Sequence, residues 1–132
     1  MASGVAVTST TPEDSDRPAE EILAAAAFRV EMTREHDTIR IAPVGEIDLA
    51  TIGELRRHTT EAMTAGPGRL ILDLREVTFL DSSALHLSVE ILERSKVTGT
   101  RFAIVPGPPV VQRTFEVAGL IDRLPFVDVP RA

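Results

Sequence analysis

The stretch Asp81-Ser82-Ser83 has the residue types and spacing best suited to chemistry in this sequence. With the preceding Thr78-Phe79-Leu80 it is predicted to form one loop, and an amphipathic segment comes next, so it is expected to lie where a strand-derived loop enters a helix. Asp and Ser are common there because they cap the unpaired N–H groups of the first helical turn. A hydroxyl there also suits phosphorylation, since a phosphate meets free N–H donors and the positive end of the helix dipole. On position alone, Ser82 is either part of a structural cap or a phosphate acceptor.

Two further loops are predicted to share an edge of the sheet with this stretch. They are Gly45-Glu46-Ile47-Asp48 and Pro106-Gly107-Pro108-Pro109, each after a predicted strand. Crossover helices bring strand carboxyl ends and helix amino ends together at one edge, where exposed groups can act. Asp48 has two open interpretations, because an acid just before a helix is favourable to the dipole whether or not it also binds a partner.

Apolar periodicity predicts the elements that position these loops. Alternation of Phe28, Val30 and Met32, then of Ile39 and Ile41, predicts a β-hairpin that turns at Arg34-Glu35-His36-Asp37. Helical spacing follows from Thr51 to about Ala65, where Thr51 and Glu54 have capping-box spacing.

The second half of the chain alternates strands and helices. Leu70-Ile71-Leu72 is typical of a buried central strand, and Ser83 to Thr98 of an amphipathic helix that ends at Gly99. A strand at Phe102–Val105, a helix from about Val111 to Ala118 closed by Gly119, and a short strand at Phe126–Val129 complete the series. This order predicts an α/β fold: a mixed sheet of four to five strands with helices packed mainly on one face.

Composition narrows the function. The 132 residues and 43% apolar content suit one domain, and the absence of Cys excludes thiol chemistry and disulfides. Three scattered His residues give no metal site, so no cofactor and no metal are expected. A net charge of -6, with Arg56-Arg57 the one adjacent basic pair, argues against a nucleic-acid surface and favours a protein partner.

The first residues differ in composition from the rest. Residues 1–19 are rich in Ser, Thr, Pro and acid and are predicted to be a disordered N-terminal tail, with the domain at 20–132 and one or two helical turns at Glu20–Ala27. They match neither a signal peptide nor a membrane span, so a cytoplasmic location without membrane association is expected.

The sequence resembles the STAS-domain family of anti-sigma-factor antagonists. That family pairs a Gly-Glu-Leu/Ile-Asp segment with a later Asp-Ser-Ser-Gly or Asp-Ser-Thr-Gly segment, matched here by Gly45-Glu46-Ile47-Asp48 and Leu80-Asp81-Ser82-Ser83-Ala84-Leu85. The likeness extends from about Phe28 to Val129 and includes the Pro-Val-Val-Gln-Arg-Thr-Phe run before Gly119-Leu120.

The resemblance implies a binding switch rather than an enzyme. Ser82 would be phosphorylated by a partner that is both anti-sigma factor and serine kinase; the unmodified form would bind that partner and release the sigma factor. A serine phosphatase would reset the switch, and the chain would be a monomer or a weak dimer. Ser83 would be the helix-capping neighbour, or an alternative acceptor. The partner-binding residues implied are Glu46, Asp48, Asp81, Ser82, Ser83, Ala84 and His86.

Two positions depart from the family pattern. Ala84 stands where members often carry Gly, which is harmless in a helix because Ala is preferred there by up to about 1 kcal/mol. His86 stands where a small residue is frequent. On the exposed face it could select among partner kinases, or it could be a solvated side chain beside Glu90. Arg56-Arg57, Glu90 and Glu93 are interpreted as solvated faces.

Two other functions compete. A hydrolase using Ser82 would need a nearby His as base, yet no Gly-x-Ser-x-Gly elbow occurs, and His36, His58 and His86 fall on a hairpin turn and on the two helices. No phosphate-cradling glycine motif occurs, which argues against a nucleotide site. The stronger alternative is a STAS module that binds another signalling partner, or scaffolds an assembly, without being phosphorylated.

Overall fold

A computed structural model describes residues 27–127, and within that range the chain forms five strands and three helices. In chain order they are β1 (Arg29–Glu35), β2 (Thr38–Ile47), α1 (Ile52–Thr64), β3 (Arg69–Asp73), β4 (Val77–Leu80), α2 (Ser82–Thr98), β5 (Arg101–Val105) and α3 (Pro109–Val117). The predicted tail at 1–19, the predicted helical turns up to residue 26, and residues 128–132 lie outside the described residues.

The strands form one mixed sheet in the order β1-β2-β3-β5, with β4 paired to the end of β2. β1 and β2 are the predicted antiparallel hairpin, although β1 continues to Glu35 and the turn is tighter than predicted, at His36 and Asp37. β2, β3 and β5 run parallel, as crossover helices α1 and α2 require. The predicted α/β fold with a mixed sheet is therefore confirmed.

One face of the sheet carries the core. The strand register places Ile39, Leu70 and Phe102 in one row across the sheet, and Ile41, Leu72 and Ile104 in the next. The helices bury their apolar stripes against these rows, and all of the residues belong to one cluster. The helical members are Leu55, Ala62 and Met63 of α1, Leu85, Leu87 and Ile91 of α2, and Val111 and Phe115 of α3. Helices thus pack mainly on one face, as predicted.

Strand β2 is longer than its sequence pattern predicts. Gly45, Glu46 and Ile47 were expected in a loop, but they belong to the strand, and the second half of β2 pairs with β4. The register shifts at Gly45, whose φ of 110° lies in the region that favours glycine. Ile47 is fully buried there, which explains why the chain stays extended to that point.

Strand β4 corrects a second loop prediction. Residues Thr78 to Leu80 were expected in a loop, yet Val77–Leu80 is a strand parallel to β2. Its two ends are buried while Thr78 and Phe79 are exposed. Four residues with that pattern show no alternation, so periodicity could not reveal a strand whose existence depends on a partner distant in sequence.

A buried carboxylate fixes the connection between β3 and β4. Asp73 has a side chain only 2% exposed and accepts hydrogen bonds from Arg40 of β2 at 2.7 Å and from Arg75 at 2.7 Å. Burial raises the pKa of Asp73, but the bonds from Arg75 and Arg40 outweigh it and hold that pKa below the usual value. The same contact raises the pKa of Arg75. Asp73 and Arg75 are therefore both charged at neutral pH, and the hydrogen bonds to Asp73 hold the turn that leads to β4 against β2.

The end of the described chain meets the sheet at one point. Phe126 forms a single parallel bridge with Ile104, and its ring packs edge-on against Phe115 with centroids 5.1 Å apart. The predicted strand Phe126–Val129 is present here as that bridge alone, and its last two residues lie outside the described range.

Candidate functional site

The two acidic segments singled out in the sequence lie side by side. Parallel pairing sets Glu46 opposite Phe79 and Ile47 opposite Leu80, and the Asp81 N–H donates to the Ile47 carbonyl at 3.1 Å. Asp48 and Asp81 therefore leave neighbouring strands at the same edge of the sheet, as expected for strand carboxyl ends.

Asp81 is the N-cap of helix α2. Its backbone is extended, and its Oδ1 accepts from the Ser83 N–H at 2.9 Å and from the Ser83 hydroxyl at 2.5 Å. The prediction that this stretch caps a helix is correct, but Ser83 is not the cap, because its own hydroxyl donates to the Asp81 carboxylate instead. The helix starts one residue earlier than predicted, at Ser82.

Ser82 is exposed at the first position of α2. Among the described residues, none forms a hydrogen bond with its hydroxyl, which contrasts with the engaged hydroxyl of Ser83. Ser82 also lies at the mouth of a cavity of about 340 Å³ between α2 and α3. We call this cavity the α2–α3 groove; its lining residues are Ser82, Leu85, Arg113, Thr114, Val117 and Ala118.

The loop after β2 is organised by Asp48 and Thr51. Asp48 Oδ1 accepts from the Ala50 N–H at 2.9 Å, and the Thr51 hydroxyl accepts from the Asp48 N–H at 2.9 Å and donates to the Glu46 carbonyl at 2.8 Å. The predicted capping box is wrong, since Thr51 makes no side-chain cap bond to α1. Its hydroxyl is buried and holds the loop instead, while the Glu54 carboxylate pairs with Arg57 at 2.9 Å.

The remaining predicted partner-binding residues fall at different depths around Ser82. Glu46 is exposed on β2, and His86 is exposed one helical turn beyond Ser82, on the same side of α2. Ala84 is only 4% exposed, so it packs beneath the surface rather than forming part of it. Glu90, the expected neighbour of His86, forms an ion pair with Arg56 that links α1 to α2.

Three large apolar side chains are exposed on segments that adjoin Asp48, Asp81 or the α2–α3 groove. Leu49 follows Asp48 and is 83% exposed, Phe79 on β4 is 45% exposed, and Val117 in the α2–α3 groove is 76% exposed. Exposed apolar side chains are candidates for an interaction surface where they form a contiguous patch. We call Leu49, Phe79, Ser82 and Val117 the Ser82 surface. The sequence pattern did not predict these apolar side chains as site residues, and Val117 lies far from Ser82 in the sequence but lines the same groove.

The described residues give no support to a hydrolase centred on Ser82. His58 is buried and its Nδ1 lies 2.9 Å from the Glu54 carbonyl, while His36 is in the hairpin turn. His86 makes no hydrogen bond with Ser82 or with a carboxylate within the described range, so no oriented base is in place.

The described residues also hold no group of three or more side chains that could bind a metal ion. Within residues 27–127, no helix is long and apolar enough to cross a bilayer.

Comparison with known proteins gives consistent matches. The STAS domain family model matches residues 29–130. The chain is 26% identical over 95 residues to an anti-sigma-B factor antagonist of Staphylococcus aureus, covering 72% of this chain and 88% of the relative. The structure of the anti-sigma factor antagonist SpoIIAA in its unphosphorylated form superposes with a TM-score of 0.66 at 22% identity, covering 80% of this chain and 90% of SpoIIAA. For the Bacillus cell fate determinant SpoIIAA in the phosphorylated form, the TM-score is 0.61 at 22% identity, with 80% and 93% covered.

Proposed function

Because the chain belongs to the STAS domain family, we propose that it is an anti-sigma-factor antagonist, switched by phosphorylation of Ser82, with no catalysis of its own. The unmodified form binds an anti-sigma factor that is also a serine kinase, and this binding releases the sigma factor. Phosphorylation at Ser82 ends the binding, and a serine phosphatase restores it.

The observation that carries this proposal is the difference between the two serines. Ser82 is exposed at the first position of α2, whereas the Ser83 hydroxyl donates to Asp81 at 2.5 Å. A kinase needs a hydroxyl that can approach the γ-phosphate of ATP, and Ser82 offers one without breaking the helix cap. The likeness to a protein whose structure is known in unphosphorylated and phosphorylated forms supports phosphorylation as the switch.

The electrostatic environment of Ser82 is compatible with a phosphate on its hydroxyl. A phosphate at the first turn of α2 is favoured by the helix dipole, by roughly 0.3–1 kcal/mol per charge at an exposed site. The Asp81 carboxylate opposes it, yet that carboxylate already accepts two hydrogen bonds from Ser83. We therefore expect the fold to tolerate phosphorylation.

The Ser82 surface supplies the docking chemistry. Leu49, Phe79 and Val117 are exposed apolar side chains, and Val117 lines the α2–α3 groove together with Ser82. A partner surface shaped for that arrangement would bury apolar area and accept a neutral hydroxyl. Phosphorylation adds nearly two negative charges at the same place, and the partner must then desolvate or repel them.

The test is phosphorylation by the purified serine-kinase anti-sigma factor recovered by pull-down without ATP. With ATP and Mg²⁺, phosphopeptide mass spectrometry should find one phosphate, at Ser82, in the wild type and in Ser83→Ala, and none in Ser82→Ala. Modification at Ser83 or in residues 1–19 instead would overturn the residue assignment. Stable binding to another partner with no phosphorylation would favour a non-phosphorylated scaffold.

A further inference from the structure

Arg113 and Ser82 line the same cavity although they belong to different helices. We propose that Arg113 is the cation that receives the phosphate on Ser82, so that phosphorylation ties α3 to α2 and closes the α2–α3 groove. This inference rests on the proposed phosphorylation of Ser82, and it adds a residue and a physical means of switching.

The buried face of helix α3 fixes the rotation of the helix and therefore the side on which Arg113 lies. Val111 and Phe115 are fully buried, and Phe115 packs edge-on against Phe126. The start of the helix is fixed as well, because the Gln112 side-chain oxygen accepts from the Gly107 N–H at 2.9 Å. With the helix rotation set by these contacts, Arg113 and Thr114 are directed to the groove, while Glu116 lines a separate cavity with Gln112.

The guanidinium of Arg113 is available for a new anion. Within the described residues, Arg113 takes part in no ion pair, as is also true of Arg34, Arg69, Arg94, Arg101 and Arg123, whereas five other arginines are engaged by carboxylates. Those in such pairs are Arg29, Arg40, Arg56, Arg57 and Arg75. A guanidinium presents a planar fork of N–H donors that matches two phosphate oxygens. A neutral serine hydroxyl has one oxygen and cannot accept from both donors in this way.

The state of the groove follows from this pairing. With unmodified Ser82, the groove is open, with a volume of about 340 Å³, and Leu85, Val117 and Ala118 form its apolar wall. With phosphoserine, the Arg113 side chain would lie across that wall to reach the phosphate. Phosphorylation would thus remove apolar docking area as well as adding charge to the Ser82 surface.

The test measures the second pKa of the phosphate, without a kinase or a partner. Phosphoserine is incorporated at position 82 during translation, and the ³¹P chemical shift is followed from pH 4 to 8. The second pKa of an exposed phosphoserine is about 6. An opposite charge in contact stabilises the dianion, so in the wild type we expect a pKa lower by about one unit than in Arg113→Gln. Arg113→Lys, which keeps the charge but not the fork, should fall between them.

The matched control is Arg94→Gln, which removes an exposed arginine from α2 itself. Arg94 lies about 18 Å further along the helix axis, beyond the screening length at physiological salt. It should therefore leave the phosphate pKa unchanged. Asp81, Asp48 and His86 are titratable side chains at this end of α2 and the adjoining loop. They are the same in every variant, so their effects on the phosphate pKa cancel when the variants are compared.

Equal phosphate pKa values in the wild type and Arg113→Gln, with both proteins folded by thermal melting, would overturn the inference. Because phosphoserine is installed genetically, that result would leave the proposed function standing. Conversely, a lowered pKa in the wild type together with no kinase able to modify Ser82 would refute the proposed function and keep the contact with Arg113.

Discussion

Asp81 accepts two hydrogen bonds from Ser83, one from its N–H at 2.9 Å and one from its hydroxyl at 2.5 Å. The Ser83 hydroxyl is thereby held in the cap of α2, while Ser82 is exposed one residue earlier. Two residues of identical type consequently have different environments. The Ser83 hydroxyl stabilises the helix end, whereas the Ser82 side chain is left exposed.

The cap contact predicts a stability effect. Asp81→Ala removes the acceptor for the Ser83 N–H, so the free energy of unfolding should fall by about 1 kcal/mol. Urea denaturation measures it. Ser82→Ala is the control and should stay within about 0.5 kcal/mol of the wild type, because its side chain is exposed. Equal losses in the two variants would show that Asp81 is not the cap.

The Arg40–Asp73–Arg75 contact predicts a pH-dependent stability. The pKa of Asp73 is lower in the folded state than the value of 3.8 expected when unfolded, so the carboxylate stabilises the fold above that value and the gain is lost as pH falls through the folded-state pKa. Asp73→Asn should therefore cost about 2 kcal/mol at pH 7. Both arginine side chains are about a third exposed, at 36% and 37%, which keeps the loss below that of a fully buried pair.

Urea denaturation as a function of pH checks the sign. The difference between wild type and Asp73→Asn should be constant above about pH 5 and shrink as the wild-type carboxyl becomes protonated. Asp122→Asn, at an exposed aspartate, should show no comparable loss at pH 7. A difference that grows on acidification would contradict the assigned direction of the pKa.

Two glycines provide a matched pair for packing at the start of α3. A Cβ at Gly107 would lie 2.8 Å from the Leu74 carbonyl oxygen and 2.9 Å from Val111 Cγ1, whereas a Cβ at Gly53 on α1 meets nothing within 4 Å. Gly107→Ala should therefore destabilise the fold by about 1–3 kcal/mol, because backbone or core must shift. Gly53→Ala should be neutral or stabilising by up to about 1 kcal/mol. Thermal melts compare them directly, and stabilisation by Gly107→Ala would show that the α3 entry is loosely packed.

The proposed switch predicts three affinities for the kinase partner. Ser82→Ala should bind in the presence and absence of ATP, phospho-Ser82 should bind about 100-fold more weakly, and Ser82→Glu should fall between them, because like charges near the interface cost several kcal/mol at short range. Calorimetric titration measures the three forms. Equal affinities for Ser82→Ala and the phosphorylated protein would exclude the switch.

The same three proteins test whether phosphorylation weakens binding at the interface or by unfolding the domain. A phosphate at the first turn of α2 is locally favourable, so all three should melt within a few degrees of one another. The loss of affinity then arises at the Ser82 surface and not from unfolding. A collapsed melting transition in the phosphorylated form would contradict this mechanism.

Local signals were enough to predict several of the helices and strands. The hairpin, α1 and α2 followed from apolar periodicity, and Gly99 ends α2 in the left-handed conformation, with φ 81°, that glycine permits. The sequence also predicted that Ser82 lies at the start of a helix, because the effects of cap residues and of the helix dipole are confined to one turn.

Other features depend on contacts between residues that are far apart in the chain. β4 exists as a strand because β2 pairs with it, and the Thr51 hydroxyl was drawn from the predicted capping box to the Glu46 carbonyl. Likewise, the fold brings Arg113 to the groove that begins at Ser82. Periodicity reports which face of an element is buried, but it does not report which distant element covers that face. The hydrogen bonds from Ser83 to Asp81 and the exposure of Ser82 depend on competition among nearby donors and acceptors, and only the folded geometry resolves that competition.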